Sequence, residues 1–187
     1  MNLDTLISSN AVVVNPEIKS KKRALELLAE KLASEASLVN PATVIRTDSE
    51  NTNSEDTDSD DTDSNETGDI DPLEIFQLLT DREKLGSTSL GHGVALPHTR
   101  TTLTEHAIGV FLKLKKGIDF DSPDNQPTDL IFALMVPEHY TDEHLKILAN
   151  LASLFSNEDF CQKLRALNTE QELYNNLTNW QLTSQAS

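Results

Sequence analysis

The side chains most able to do chemistry lie close together between residues 81 and 98. Arg82 offers a planar fork of N–H donors that fits a phosphate or a carboxylate. Ser87 and Thr88 add two adjacent hydroxyls. His98 is the one nucleophile of the stretch that works near neutral pH, because the pKa of a free imidazole is about 6.5. From spacing alone, an ordinary glycine-rich loop with a surface histidine explains the stretch as well as a reaction site does.

Three glycines shape the backbone between these polar residues. Gly86, Gly91 and Gly93 allow positive φ angles, and they let a ligand or a partner approach the main chain closely. The apolar run at 94–96 has the length of a short strand and stops at a proline. Because proline cannot donate to a sheet ladder, we expect His98 to be presented at a strand end.

A second histidine, His144, lies in the first turn of a predicted helix. Free backbone N–H groups and the positive end of the helix dipole favour an anion at such a position. His144 can therefore donate a hydrogen bond to a phosphoryl group on His98, although a solvent-facing first-turn residue would give the same pattern. His92 lies between two glycines and is expected to be exposed, and we assign no role to His106 or His139.

Two kinds of site compete for these residues. In the first, His98 takes a phosphoryl group on a ring nitrogen and later gives it up, which requires an aimed, neutral imidazole and groups that offset the charge of the phosphoryl oxygens. The candidate residues are His98, His144 and Arg82 as catalytic groups, and Ser87, Thr88, Gly91 and Gly93 as phosphate-binding groups. In the second, His92, His98 and His144 bind zinc, but no carboxylate or thiol lies beside them at a ligand-like spacing. We therefore predict phosphoryl chemistry with no metal and no cofactor.

One strand and two helices are predicted in the part of the chain that leads to Arg82. A short β-branched run at 11–14 predicts the first strand, and a helix with Ser20 as its N-cap is expected to run to about residue 36. The sequence Asp-Pro-Leu-Glu at 71–74 combines an N-cap, a proline at the first helical position and a glutamate three residues after the cap. The helix that follows should carry Arg82 at its far end.

The second half of the chain predicts two long strands and three helices. Alternation at 108–114 indicates a half-buried strand, and the continuous apolar run 129–137 indicates a central strand covered on both faces. A helix is expected from Thr141, whose hydroxyl should cap it, another at 158–167 and a last one from the capping box at 169–172. Strands interleaved with helices predict an α/β fold (an α+β sandwich), a single domain in which helices flank a mixed sheet.

The formal net charge of −16 comes mainly from one segment. Residues 47–71 include 11 acidic residues and no lysine or arginine, which leaves 20 acidic against 15 basic residues elsewhere. Without aromatic or aliphatic residues before Ile70, the segment cannot offset a chain entropy of roughly 1–2 kcal/mol per residue, so we expect disorder. Its acidity argues against binding to nucleic acid or to an anionic membrane surface.

A calcium loop is the alternative for this segment. Asp56, Asp58 and Asp60 alternate as calcium ligands do, but Asp61 and Thr67 stand where such a loop needs glycine and glutamate. A solvated acidic insert is therefore the preferred interpretation.

The expected organisation has one domain interrupted by the insert. Residues 1–46 form its first part, 47–70 the disordered acidic insert, 71–178 the remainder with the site, and 179–187 a loose tail. Cys161 is the only cysteine, which excludes an intramolecular disulfide. With no secretory signal and no apolar stretch near 18 residues, we expect a cytoplasmic protein without membrane insertion.

The sequences at 82–88 and 91–98, Arg-Glu-Lys-Leu-Gly-Ser-Thr and Gly-His-Gly-Val-Ala-Leu-Pro-His, resemble the active-site signature of the mannitol/fructose class of enzyme IIA in the bacterial phosphotransferase system. Further stretches at 20–25, 120–121, 124–127, 164–166 and 170–174 resemble the nitrogen-related members of this family. The resemblance covers residues 10–177 apart from the insert. Two features depart from the family pattern: His92 stands where a small polar residue such as asparagine is more usual, and the insert replaces part of a helical link.

The resemblance implies that His98 is phosphorylated on Nε2, that Arg82 contacts the phosphoryl group and that His144 is the second active-site histidine. It implies a mixed sheet flanked by helices. The implied donor is a small histidine phosphocarrier similar to HPr, charged from phosphoenolpyruvate by a dedicated enzyme I. Nitrogen-related members act as regulators, with potassium-transport proteins and sensor kinases among typical targets.

Two alternatives stay open at this point. One is a sugar-specific, fructose- or mannitol-type enzyme IIA that passes phosphate to a IIB component, against which the lack of a fused transporter module argues mildly. The other is a regulatory binding module in which phosphorylation of His98 is vestigial.

Overall fold

The computed structural model describes residues 3–39 and 70–184, with side chains as far as Trp180. The predicted disordered insert at 47–70, apart from Ile70, and the alternative calcium loop at 56–67 lie outside these ranges. Among the described helices, none has the length and apolarity that a membrane span requires.

The described chain forms a mixed sheet with helices packed around it, as predicted. The strands are β1 (Val12–Val14), β2 (Ser89–Gly91), β3 (Val94–Ala95), β4 (His98–Thr101), β5 (Ile108–Ile118) and β6 (Thr128–Pro137). The helices are α1 (Lys21–Val39), α2 (Pro72–Lys84), α3 (Asp142–Phe155), α4 (Glu158–Ala166) and α5 (Glu170–Ser184), and two short 3-10 turns, Leu3–Thr5 and Ser9–Ala11, precede β1.

The sheet has the strand order β1-β5-β6-β3-β2, and β4 pairs with a second part of β6. β1 runs parallel to β5, β5 runs antiparallel to β6, and both β3 and β4 run parallel to β6. β6 is thus the central strand, and nine of its ten residues are buried. This confirms the prediction that the apolar run 129–137 is covered on both faces.

One apolar core joins the parts of the chain before and after the acidic segment. It includes Leu28 and Leu32 of α1 and Ile75 of α2, which are all buried. On the same sheet, Phe111 and Phe132 contact the ring of Phe155 with centroids 6.0 and 5.9 Å apart. A shared core of this kind supports a single domain rather than two.

Local capping explains where α2 begins. The Asp71 side chain accepts a hydrogen bond from the Leu73 N–H at 2.8 Å, and Pro72 stands at the first helical position, as predicted. α2 then packs against α1 and against β4. Its last turn, which contains Arg82, therefore lies beside the first residue of β4.

A proline separates β3 from β4 along the same edge of β6. Val94 and Ala95 pair with Leu130 and Ile131, and pairing resumes with His98 opposite Leu134. Pro97 cannot donate between these pairs, but its carbonyl still accepts from the Leu134 N–H at 2.9 Å. His98 is consequently the first residue of β4, which confirms that it lies at a strand end.

Two helix ends differ from expectation. Thr141 precedes α3 with φ −94° and ψ −74°, and its hydroxyl makes no capping bond, so the predicted cap was wrong. An N-cap side chain reaches the first turn from an extended backbone, which Thr141 does not adopt. At the other end, α5 continues to Ser184, past the expected start of a loose tail at 179. The ring of Trp180 packs on Phe160 at 4.7 Å between centroids, which holds this last part of the helix to α4.

Candidate active site

Three elements bring Arg82, His98 and His144 into one pocket. Arg82 lies in the last turn of α2, His98 opens β4, and His144 is the third residue of α3. All three line the same surface pocket, together with Arg100, Asp142 and Leu145. The structure thus joins the three side chains that the sequence predicted as catalytic groups.

The ring of His98 is held in one orientation by two hydrogen bonds. Nδ1 lies 2.8 Å from the carbonyl oxygen of Leu96, and Nε2 accepts from Nε of Arg82 at 3.1 Å. Because a carbonyl oxygen can only accept, Nδ1 carries the ring proton and Nε2 carries the lone pair. Nε2 is therefore the nucleophilic nitrogen.

Burial keeps this ring neutral. The pKa of His98 is lowered from its usual value, first because burial disfavours the charged form and also because of the positive charge of Arg82. The hydrogen bond to Leu96 acts in the opposite direction but does not outweigh burial. A neutral imidazole is the form that can attack phosphorus.

Arg82 is half-buried, and its guanidinium also donates a hydrogen bond to a backbone carbonyl. Its Nη1 donates to the carbonyl oxygen of Gly86 at 3.1 Å, while Nε donates to His98. The guanidinium is thus fixed beside the nucleophilic nitrogen before any ligand is bound, which reduces the entropy lost on binding an anion.

His144 faces His98, with ring centroids 5.5 Å apart. Its Nε2 is buried and has no hydrogen-bond partner among the described residues. The pKa of His144 is lowered first by burial, then by the repulsion that protonating both His98 and His144 would create, and then by the positive charges of Arg100 and Arg82. A neutral His144 with an unused ring nitrogen can offer a hydrogen bond to a group bound on His98.

The predicted phosphate-binding hydroxyls have other partners. The Ser87 hydroxyl donates to the Phe120 carbonyl at 2.9 Å. The hydroxyl of Thr88 donates to Oε2 of Glu83 at 2.6 Å, and its N–H donates to Oε1 at 3.0 Å. Neither residue lines the His98 pocket. These hydroxyls fix the loop after α2, so Arg82 and the backbone N–H groups of α3 are better placed to bind an anion.

Gly91, the last residue of β2, and Gly93, just before β3, also lie away from the pocket, at the tight turn that joins these strands. Both have positive φ, 83° and 78°, as the sequence predicted. A Cβ on Gly91 would lie 3.0 Å from the Asp124 carboxylate, and one on Gly93 would lie 2.6 Å from Nη2 of Arg165. Close packing against charged side chains explains why these two positions are glycines. The predicted contact of Gly91 and Gly93 with phosphate stays a prediction.

His92 stands at the tip of this turn with φ 54° and is exposed. Its N–H donates to Oδ2 of Asp124 at 2.7 Å, and its carbonyl accepts from Nη2 of Arg165 at 2.8 Å. Asparagine and histidine are among the few residues that adopt such a φ readily, which gives a physical reason for either one at this position. The described residues contain no cluster of three or more His, Cys, Asp or Glu suited to a metal ion.

The sequence analysis missed Arg100. It follows His98 by two residues on β4, so strand alternation directs both side chains to the same face, and Arg100 lines the same pocket. The polar run 99–101 carries no apolar strand signal. The available clue was that Arg100 follows a candidate nucleophile, His98, by two residues. This clue can be used only when β4 is known to start at His98.

Comparisons with known proteins agree with this geometry. Residues 64–180 match the family described as "Phosphoenolpyruvate-dependent sugar phosphotransferase system, EIIA 2". A nitrogen regulatory protein of Escherichia coli K12 is 32% identical over 95% of this chain and 90% of its own length. One from Bradyrhizobium diazoefficiens is 34% identical over 93% of each chain. The crystal structure of nitrogen regulatory protein IIA-Ntr from Neisseria meningitidis superposes with a TM-score of 0.74 at 31% identity, covering 94% of this chain and 99% of that one.

The fold and the pocket define a IIA component of a phosphotransferase system. The chain belongs to the type-2 EIIA family, and its near-full-length relatives include nitrogen regulatory proteins. Membership of this family implies a phosphotransferase role in which a phosphocarrier protein is the donor.

Proposed function

We propose that this protein is the phosphoryl carrier of a nitrogen-related phosphotransferase branch and that it accepts a phosphoryl group on Nε2 of His98. The observation that carries the proposal is the pair of bonds at the ring: Nδ1 donates to Leu96, and Nε2 keeps its lone pair beside Arg82. His98 is neutral and partly accessible, so another protein can present a phosphoryl group in line with Nε2.

In the transfer step, the lone pair of Nε2 forms a bond to phosphorus while the phosphorus–nitrogen bond of the donor's phosphohistidine breaks. The electron pair of the broken bond returns to the donor ring, which leaves as a neutral imidazole because its other nitrogen carries a proton. The Nδ1 proton of His98 stays on the ring, bonded to Leu96. The bond from Nε of Arg82 to the Nε2 lone pair is then lost, so Arg82 donates to a phosphoryl oxygen instead, and His144, whose ring lies beside that of His98, donates to another.

The nitrogen branch is favoured because relatives bearing the name nitrogen regulatory protein match nearly the whole chain at 32–34% identity. The donor is then an HPr-like histidine phosphocarrier of that branch in the cytoplasm. The phosphorylation state of His98 signals to regulatory targets such as potassium-transport proteins or sensor kinases.

The test is phosphorylation in a reconstituted system. Phosphoenolpyruvate, enzyme I and the HPr-like carrier should add about 80 Da to the protein, and the adduct should be acid-labile as expected for a phosphohistidine. His98→Ala should remain unmodified. His92→Ala, which removes an exposed histidine outside the pocket, is the matched control and should be modified like the wild type. Modification of His98→Ala to the same extent would refute the assignment.

A further inference from the structure

The phosphoryl group that His98 would carry needs more positive charge than Arg82 alone provides. A protein-bound phosphoryl group carries roughly −1.5 to −2 charge at neutral pH. His144 supplies a hydrogen-bond donor rather than a charge, because burial favours its neutral form. The pocket also contains the carboxylate of Asp142, which adds negative charge. Once the Asp142 carboxylate is counted, one arginine leaves the phosphorylated site with a deficit of positive charge, even with the formal positive charge of a ring that keeps its Nδ1 proton.

Arg100 is in position to supply the second positive charge. Strand alternation places its side chain on the same face as His98, two residues along β4, and it lines the same pocket. Its positive charge helps to lower the pKa of the nearby His144 ring. Arg100 is exposed, whereas Thr99 between the two residues is buried, so the guanidinium of Arg100 is the accessible cationic group of this strand.

The guanidinium of Arg100 is uncommitted, unlike those of the other arginines in the described part of the chain. Arg23 pairs with Glu26 at 2.9 Å, Arg165 pairs with Asp129 at 2.8 Å, and Arg82 donates to His98 at 3.1 Å. In the described part of the chain, no carboxylate lies within ion-pair distance of Arg100, and the residue is exposed. An unpaired arginine that lines an anion pocket is available to a ligand at no cost in broken ion pairs.

We propose that Arg100 is a further catalytic residue, which contacts the phosphoryl oxygens during transfer to His98 and holds them afterwards together with Arg82. The inference rests on the proposed phosphorylation of His98 and adds a residue and a function to it. Arg82 acts at the nucleophilic nitrogen, and Arg100 acts on the phosphoryl oxygens. A planar fork suits two phosphoryl oxygens at once.

The kinetic test uses Arg100→Gln and, as the matched control, Arg23→Gln. Both changes remove one positive charge from an exposed arginine, but Arg23 lies on α1 outside the pocket. At saturating phosphorylated donor, we expect Arg100→Gln to transfer at least about tenfold more slowly, while Arg23→Gln stays within about twofold of the wild type. Arg100→Lys, which keeps the charge but loses the fork, should lie between Arg100→Gln and the wild type.

A second measurement needs no donor protein. Inorganic phosphate is titrated into the unmodified protein while the ring signals of His98 and His144 are followed by NMR, and Arg100→Gln should bind it about fivefold more weakly than Arg23→Gln. If the wild type accepts no phosphoryl group, the proposed function fails, and this titration alone judges Arg100. Equal values for Arg100→Gln and Arg23→Gln in both measurements would overturn the inference. So would an effect confined to the donor concentration at half-saturation, because Arg100 would then contact the donor protein rather than the phosphoryl group.

Discussion

The two histidines of the pocket illustrate how burial and charge together set a protonation state. His98 and His144 lie 5.5 Å apart, and the pKa of each is lowered first by burial. Arg82 lowers both pKa values further, so neither ring gains a proton easily while the guanidinium is in place. The arginine that would bind the phosphoryl group thus also helps to keep its acceptor nucleophilic.

A dependence of stability on pH follows from the lowered pKa of His98. In the unfolded chain the pKa of a histidine is about 6.5, and in the folded protein the pKa of His98 is lower. Between these two pKa values the unfolded state binds more protons than the folded state. The free energy of unfolding should therefore fall as the pH is lowered through this window. His98→Gln should show a smaller fall, and urea unfolding between pH 7.5 and pH 5 measures the difference.

His92→Gln provides the comparison, because it removes an exposed imidazole from the β2–β3 turn. If wild type and His98→Gln lose stability in parallel over this pH range, the protonation state inferred for His98 is wrong. The comparison depends on differences between variants, so acid effects common to all of them cancel.

At the residue scale, the sequence predicted which side chains meet in the pocket but not their hydrogen-bond partners. Arg82, His98 and His144 could be predicted because few residue types can hold or accept a phosphoryl group. Ser87 and Thr88 were predicted as phosphate-binding residues because a hydroxyl near an arginine is an equally good donor to an anion or to a carboxylate. Only the fold shows that Glu83 and the Phe120 carbonyl accept these bonds.

At the scale of elements, the buried carboxylate of Glu83 fixes the loop after α2. Oε1 accepts from the Thr88 N–H at 3.0 Å and from Nζ of Lys21 at 2.8 Å, and Oε2 accepts from the Thr88 hydroxyl at 2.6 Å. Glu83 is adjacent to Arg82, and the same loop contains Gly86, whose carbonyl holds the Arg82 guanidinium. The bonds of Glu83 therefore help to set the position of the arginine.

Glu83→Gln should weaken this connection. An amide nitrogen cannot accept from Thr88 or from Lys21, so we expect a loss of about 1–3 kcal/mol in the free energy of unfolding. Transfer to His98 should also slow, at temperatures where the variant is fully folded. Urea unfolding and the reconstituted phosphorylation assay measure the two effects.

Glu26→Gln is the matched control for that change. Its carboxylate pairs with Arg23 at 2.9 Å on the surface of α1, where loss of the pair should cost less than about 1 kcal/mol. Equal losses of stability and unchanged transfer in both variants would show that Glu83 does not position Arg82.

The β2–β3 turn offers a second test at this scale, the substitution Gly93→Ala. A Cβ there would lie 2.6 Å from Nη2 of Arg165 and 2.8 Å from Oδ1 of Asp129, at a backbone φ of 78°. We expect a loss of about 1–3 kcal/mol from backbone strain, with a further loss because the Arg165–Asp129 pair must shift. Thermal unfolding measures it.

Gly86→Ala separates these two causes. Gly86 also has a positive φ, 154°, but a Cβ there would meet nothing within 4 Å. Gly93→Ala should therefore be the less stable of the two variants. If they are equally stable, the guanidinium of Arg165 moves aside without cost and does not constrain the turn.

Long apolar elements were predicted at the right positions, and short polar elements were not. The prediction of a half-buried strand at 108–114 was wrong, because both faces of β5 are buried over these residues. β6 and the helices have long apolar patterns, whereas β2 and β4 have at most four residues each and depend on pairing with β3 and β6. Such strands are stabilised by tertiary contacts rather than by local preference, so a single sequence carries little signal for them. The continuation of α5 past residue 178 was missed for a similar reason, because one contact between Trp180 and Phe160 favours it.

At the scale of the whole molecule, the negative charge is concentrated in a segment that joins α1 to α2 along the chain. We predict that this acidic segment contributes little to the transfer step itself, because the residues proposed to contact the phosphoryl group all belong to helices and strands of the domain. Deletion of residues 48–68 should leave the transfer rate at 1 M salt within about tenfold of the wild type, or about 1.4 kcal/mol on the barrier. At that ionic strength charges are screened beyond roughly 3 Å.

At low salt the same deletion should change the rate of encounter with the donor, in the direction set by the donor's own charge. A variant that keeps the length but replaces the acidic residues between 48 and 66 by their amides separates the two possible causes. If charge is responsible, the amide variant should match the deletion, and both should approach the wild type as salt is added. A transfer rate reduced more than tenfold at 1 M salt in the deletion alone would instead mean that the domain requires a connection of this length to align α2, and with it Arg82, on β4.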